Sequence, residues 1–447
     1  MENKKPTAAQ VLKFVIPSLL GAALFLIPMY VGGKFVLGVS IFCDIIQGWM
    51  TPIVDPLAIL FLTIAVVVPI INMVFKPKII SENKTLRSLF DISPLILVVR
   101  IIGLVYVVCY LFKIGPEMIW NDATGGEAYY IVTTILTLMV GTSFLISLLT
   151  DFGIMDFVGI MVRRLMKPLF TLPGRASLDC IASWVGSSLT GALLTSTQYK
   201  DGFYSKREAC VIMTCFSTAA FSFIFVLARV CGLEAYFLPS VLVIYAAVIP
   251  CAIILPRIYP LSKAKDEYVG GAPEILEEVP AGLNKTQWAL QNAVDRASQM
   301  TVKKFLLKGV QTICSVWFDV LPMVMFVACT GMIINEYTPI FKIVTKPLVP
   351  IISLMGFAEA EAAAPMLIAG FLDQFLPIAM AGSISAIDTR FFVFCVAIAQ
   401  IIYLSEIGVM MIRSKLDFNL GKIFLVFVER TILSMPIIWI LTKLFIH

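Results

Sequence analysis

Long apolar runs separated by short polar intervals, many of them basic, set the pattern of this chain. Runs near or above the ~18–20 residues that cross a bilayer as a helix predict spans over 14–31, 56–75, 94–112, 129–149, 209–230, 236–256, 311–334, 391–412 and 423–446. A loop carrying Asp44 and Asp55 is expected between the first two. Two stretches, 153–170 and 338–352, are predicted as helices lying at the interface; the first mixes Arg163, Arg164 and Lys167 with apolar positions at helical spacing. Two others, 176–198 and 356–385, are too rich in small, hydroxyl or charged residues for plain spans. Gly186 and Gly191 break the first, Gly356 and Pro365 the second. Both predict re-entrant hairpins, which membranes tolerate only where protein or a wet cavity satisfies the backbone. Residues 257–309 form the one long polar interval. There Asn284 and Gln287 have capping-box spacing, opening a cytosolic helix expected to reach about Lys308.

Composition agrees with lipid as the solvent. The 447 residues are 59% hydrophobic and 14% charged, with mean hydropathy +0.94. A soluble domain of this size would lack the polar surface to cover itself. The formal charge of +5 resides mostly between apolar runs, which fits cytoplasmic loops and gives no reason to expect a nucleic-acid partner. The expected topology is a multi-pass protein of the bacterial inner membrane, N-terminus cytoplasmic and C-terminus outside. The first apolar run, interrupted by Pro17 and Pro28, is read as a retained helix rather than a cleaved signal. Ten cysteines are scattered without a CxxC pair, and the single histidine is His447. That pattern excludes histidine triads, HExxH zinc sites and dithiol redox chemistry. No phosphate-binding GxxxxGK[ST] loop occurs, and no nucleophile–base–orienter set points to an enzyme.

The two halves repeat. Lys167-Pro168-Leu169 closes the first interfacial segment and Lys346-Pro347-Leu348 the second. After each come a small-residue polar segment, a charged connector (Lys206-Arg207; Asp388-Thr389-Arg390) and two long helices. Order and spacing carry this repeat, since letter identity is thin. Three crossings in the first unit would start the second from the opposite face, inverting it. Were each hairpin to span, the repeat would be parallel and the C-terminus inside. The expected fold is an all-α polytopic membrane protein with about nine transmembrane helices and two re-entrant hairpins in two inverted gate repeats. Its expected divisions are a three-helix scaffold over 1–127, gate repeat 1 over 128–257, a cytoplasmic linker over 258–309 and gate repeat 2 over 310–447. Inverted repeats with broken segments meeting at the midplane are an architecture of secondary transporters.

The stretches Gly186-Ser187-Ser188-Leu189-Thr190-Gly191-Ala192-Leu193-Leu194-Thr195-Ser196 and Lys206-Arg207-Glu208-Ala209, with Glu359-Ala360-Glu361-Ala362-Ala363-Ala364-Pro365, resemble YjiH-type proteins of the GATE, or nucleoside-recognition, group. That group is related to spore maturation proteins, concentrative nucleoside transporters and the permease core of ferrous-iron transporters. The resemblance covers roughly 129–446 and implies a pair of gate repeats around a central site.

Candidate site residues follow from polarity at membrane depth. Glu359 and Glu361 lie two residues apart, so they diverge by roughly 200° on a helix and face one cavity only if the backbone unwinds; the alternative is a solvated loop tip. Glu406 sits in an apolar run, with Gln400 and Tyr403 at successive three-residue steps. Thr214, Thr218 and Ser222 recur every four residues with Ser217 beside them, a polar face or merely hydroxyl packing between helices. Ser187, Ser188, Thr190, Thr195 and Gln198 offer oxygens at the first hairpin. Asp179, Asp373 and Gln374 are hairpin-arm candidates, and Asp319 is expected to pair with Lys308 or Arg229. The expected activity is secondary transport of a small polar organic solute, a nucleoside, amino acid or short peptide. Sodium or a proton would be the coupling ion, with no other cofactor and no metal site; self-association into a homo-oligomer stays open. The alternatives are a metal-ion permease and a non-transporting subunit of an envelope or sporulation complex.

Overall fold

The first helix begins where Thr7 and Gln10 cap it reciprocally: α1 spans Ala8–Leu26. The structure, a computed structural model, describes residues 6–31, 34–186, 188–269, 284–372, 374–400, 402, 407–414, 416 and 418–446. The span expected over 14–31 stops at Leu26, and its last residues enter a short hairpin of β1 (Pro28–Val31) and β2 (Lys34–Leu37). The loop expected around Asp44 is helix instead. There α2 (Gly38–Met50) continues through a 3-10 turn into α3 (Val54–Phe75). A helix satisfies its own backbone in lipid where a loop cannot, and both acids have partners. Asp44 pairs with Arg229, while Asp55 accepts from the Tyr129 hydroxyl at 2.6 Å. Short α4 (Lys78–Glu82) and α5 (Lys84–Phe90) precede α6 (Pro94–Phe112) and α7 (Glu117–Trp120).

Two matching series follow. The first contains α8 (Glu127–Thr150), the amphipathic α9 (Ile154–Leu165), hairpin arms α10 (Ala176–Ile181) and α11 (Ser188–Lys200), then α12 (Lys206–Cys215), α13 (Phe221–Val230) and α14 (Phe237–Ile254). Between the series lies α15 (Lys285–Gln299), packed on α9 and α1. Asn284 opens it as expected, with Gln287 Oε1 accepting from the Asn284 N–H at 3.1 Å. It ends before Lys308, however, because Thr301 caps a new helix. That helix, α16 (Val302–Ser315), runs through a wide turn into α17 (Leu321–Tyr337). Then come α18 (Ile340–Thr345), α19 (Val349–Leu354), hairpin arms α20 (Ala360–Ala369) and α21 (Phe375–Ala381), α22 (Ile387–Ala399), α23 (Val409–Arg413) and α24 (Leu420–Phe445).

Among the described residues seven helices are long and apolar enough to cross a membrane, and the interrupted pairs α12–α13 and α22–α23 lie beside them. The protein is an all-α polytopic membrane protein, with one small β-hairpin among the described residues. The interruptions correct the expectation of continuous helices over 209–230 and 391–412. Residues 216–220 leave helical geometry with neither glycine nor proline among them, and α22 stops at Ala399.

Equivalent elements meet across the centre: α8 packs on α17 and α14 on α24. Each hairpin also touches the second half of the other series' interrupted helix. Ser196 on α11 shares a 2.8 Å hydrogen bond with Ser414, just past α23. On the opposite side Phe375 of α21 meets Phe223 of α13 edge-on at 5.6 Å, and Cys231 Sγ approaches the Ile378 carbonyl at 3.6 Å. Asp319 pairs with neither residue expected for it. Its partner is Arg100 of α6, at 2.7 Å, while Lys308 takes Asp151 and Arg229 takes Asp44 and Glu234. The choice follows burial: the Arg100 side chain is fully enclosed, and a charge so placed needs a counter-charge.

Candidate functional site

A break in a helix frees carbonyls that lose their intrahelical partners, and the α12–α13 break shows where those carbonyls go. Ile212 O still accepts from Phe216 N at 3.2 Å. Beyond it, Met213 O accepts from the Ser217 hydroxyl, which folds back onto its own turn. Thr214 O and Ser217 O both accept from Arg430, at 2.6 Å from Nη1 and 2.9 Å from Nη2. Arg430 lies midway along α24 and is wholly buried. Its guanidinium therefore stands at the negative end of α12, where a cation is stabilised by the helix dipole as well as by the carbonyls.

The next residue on α24 reaches the other break. Thr431 Oγ1 accepts from Gln400 Nε2 at 2.9 Å, and the same amide donates to Leu367 O at 2.9 Å near the tip of the second hairpin. Gln400 caps α22 and is also fully buried. At the first hairpin, Trp184 stacks on Phe216 of the break with ring centres 5.3 Å apart, and Tyr245 of α14 donates to Trp184 O at 2.8 Å. Both hairpin tips and both helix breaks are thus joined through adjacent residues of α24 and one aromatic stack. Among the described residues, Trp184 Nε1, Gln198 Oε1 and Gln400 Oε1 are buried without a hydrogen-bond partner.

The first hairpin is stapled internally. Asp179, wholly buried on α10, accepts from Gln198 Nε2 at 2.9 Å, Thr195 Oγ1 at 3.4 Å and the Tyr204 hydroxyl at 2.9 Å. The arms come so close at Gly191 that a β-carbon there would run into Ser183 Oγ. A glycine is required by that approach rather than by a turn.

The structure distributes the expected site residues unevenly. Thr214, Ser217 and Thr218 are buried at the break, but they do not form one helical face. Thr218 lies in the unwound stretch and donates to Ala219 O at 3.0 Å. The four-residue spacing presumed a helix that is absent there. Gln198 belongs to the Asp179 staple, and Gln374 is buried at the start of α21. Glu359 and Glu361 separate. Glu359 Oε1 accepts from Ser385 N at 2.9 Å and Ala386 N at 2.7 Å, closing the N-terminal end of α22, whereas Glu361 is exposed on the first turn of α20. Both stand at the base of the second hairpin, not its tip. Ser188 opens α11 and Thr190 lies in its first turn. Ser187, Asp373, Tyr403 and Glu406 lie outside the described residues.

Arg430 and Arg100 were not singled out by the hydropathy pattern. The signal was present: each is a basic residue deep in an apolar run, where a charge marks an interior partner.

Residues 132–234, from α8 to the turn after α13, match the Gate family, described as nucleoside recognition. Over 442 residues the chain is 42% identical to the uncharacterized protein BpOF4_10220 of Alkalihalophilus pseudofirmus, covering 98% of this chain and 96% of that one. Among solved structures it is similar to CNTnw in an inward-facing substrate-bound state, with TM-score 0.42, 14% identity and coverage of 90% of this chain and 99% of that chain. A doubly substituted CNTnw in an outward-facing state gives TM-score 0.45 at 14% identity, covering 97% of this chain and all of the other. The chain belongs to the GATE-domain membrane family.

Proposed function

We propose that this protein is a secondary transporter, not an enzyme, that carries a small polar organic solute across the bacterial inner membrane. The observation that carries the reading is the meeting of two helix breaks on Arg430 and Thr431 of α24, with one hairpin tip joined to each break, through Gln400 and through the Trp184–Phe216 stack. Irregular backbone at membrane depth is tolerated only where protein buries it or it lines a wet cavity, and transporters place their solute sites at such broken segments. Among the buried polar atoms without protein partners, Trp184 Nε1 and Gln400 Oε1 lie at the hairpin contacts with the two breaks and are groups a polar solute would satisfy. A nucleoside comes first among solutes because of the Gate match, ahead of an amino acid or short peptide. Uptake is driven by a proton or sodium gradient. Glu406, placed by sequence between Gln400 and α23, is the proposed proton carrier. The N-terminus is cytoplasmic and the C-terminus outside.

The test is uptake of labelled nucleosides, amino acids and dipeptides into proteoliposomes under imposed proton and sodium gradients. Gln400→Leu is expected to cut uptake per folded molecule at least about tenfold, since a site built on a buried hydrogen bond rejects its loss strongly, and to lower the melting temperature because Leu367 O and Thr431 lose their donor. Unchanged uptake in Gln400→Leu takes Gln400 out of the solute path, and no uptake above empty liposomes under any gradient overturns the transport reading.

A further inference from the structure

In transporters built on discontinuous helices, unwound carbonyls and half-helix C-termini are where a coupling cation is held. At the α12–α13 break of this chain those positions are already taken by a side chain. Thr214 O and Ser217 O accept from the two terminal nitrogens of Arg430, and Met213 O accepts from Ser217 Oγ. Arg430 reaches the break from a residue 216 positions further along the sequence and has no exposed surface. We propose that Arg430 is a tethered counter-cation: it occupies the α12–α13 break in place of a dissociable alkali ion, and solute binding and transport here need no sodium. This rests on the transport reading above but concerns the ion alone.

The chemistry favours a permanent occupant. A guanidinium keeps its proton at any physiological pH and presents donors in a fixed fork. Here that fork spans two carbonyls three residues apart in the chain. A sodium ion bound at the same carbonyls would place a second full positive charge within a few ångströms of the first in a poorly screened interior, a strongly repulsive arrangement. The driving ion is then one carried elsewhere than at this break, and we assign that role to the proton.

The experiment uses purified full-length protein in detergent, melted in sodium chloride and in choline chloride at equal ionic strength. The wild type is expected to melt within about 1 °C in the two salts, with no saturable response to sodium. Arg430→Met removes the charge while keeping most of the side-chain length. It is expected to melt several degrees lower and to recover part of that loss, saturably, on adding methylguanidinium or sodium. Arg430→Lys keeps a cation at the break and is expected to stay indifferent to sodium. A saturable sodium-dependent rise in the wild-type melting temperature overturns the proposal, and this arm decides even if Arg430→Met does not fold. So does an Arg430→Met protein as stable as wild type and unmoved by either cation. Uptake that requires sodium would sink this proposal and leave the transport reading standing. A sodium-indifferent protein that moves no solute would do the reverse.

Discussion

Arg100 and Asp319 form an ion pair in which the two ends are unequally exposed: the Arg100 side chain is fully enclosed and that of Asp319 is 48% exposed. The arginine also donates to Ala65 O and Leu89 O at 3.3 and 3.1 Å, so one side chain ties α3, α5 and α6 to the turn before α17. Removing the acid strands a buried charge. Asp319→Ala is expected to cost roughly 3 kcal/mol, the lower end for breaking a buried pair, because water reaches the acid's side. Thermal unfolding in detergent measures it, and a loss below about 1 kcal/mol would show that the carbonyls alone hold Arg100. Neighbouring Trp317 gives the same joint a second contact by stacking on Phe61 at 4.0 Å.

Helix ends decide much of the architecture at the next scale. The Ser205–Glu208 capping box starts α12, whereas the N-cap residue of α22, Ala386, is held by a carboxylate from 27 residues upstream, Glu359. Glu359→Ala removes two charge-assisted acceptor contacts. It is expected to destabilise the protein by about 1–2 kcal/mol, as loss of a cap does, while uptake per folded molecule stays unchanged. A collapse of coupled uptake in Glu359→Gln at unaltered melting temperature would instead return this acid to the transport machinery. Gly191 sets a second condition on an element. Gly191→Val must push α11 away from Ser183 and strain the Asp179 staple, so folded yield is expected to fall severalfold by size-exclusion chromatography. Wild-type yield would mean that the arms separate freely.

For the whole molecule, the crossed packing of hairpins and interrupted helices is what couples the halves. The contact between Ser196 and Ser414 lies within the 2.8 Å reach of two hydroxyls, close enough for a disulfide between paired cysteines. In a chain freed of its ten native cysteines, Ser196→Cys with Ser414→Cys is expected to cross-link under mild oxidation. Uptake should stop in the linked form and return on reduction, since a hairpin pinned to α23 cannot move against it. Transport at full rate in the cross-linked protein would place the moving element elsewhere.

Local chemistry in the chain was enough to specify a membrane protein and its recurring order of segments. Apolar length set α3, α6, α8, α14 and α24 to within a few residues of expectation, and the Asn284–Gln287 spacing set the start of α15. The glycines and hydroxyls of 176–198 marked a hairpin. Tertiary structure alone decided the breaks and the pairs. Phe216–Ala220 carries no helix-breaking residue, and a helix there would have been the default of its own sequence. It opens because distant groups satisfy the freed carbonyls, chiefly Arg430, and no local pattern records a partner 216 positions away. Periodicity reports which face of one helix is polar; it does not report which helix answers it.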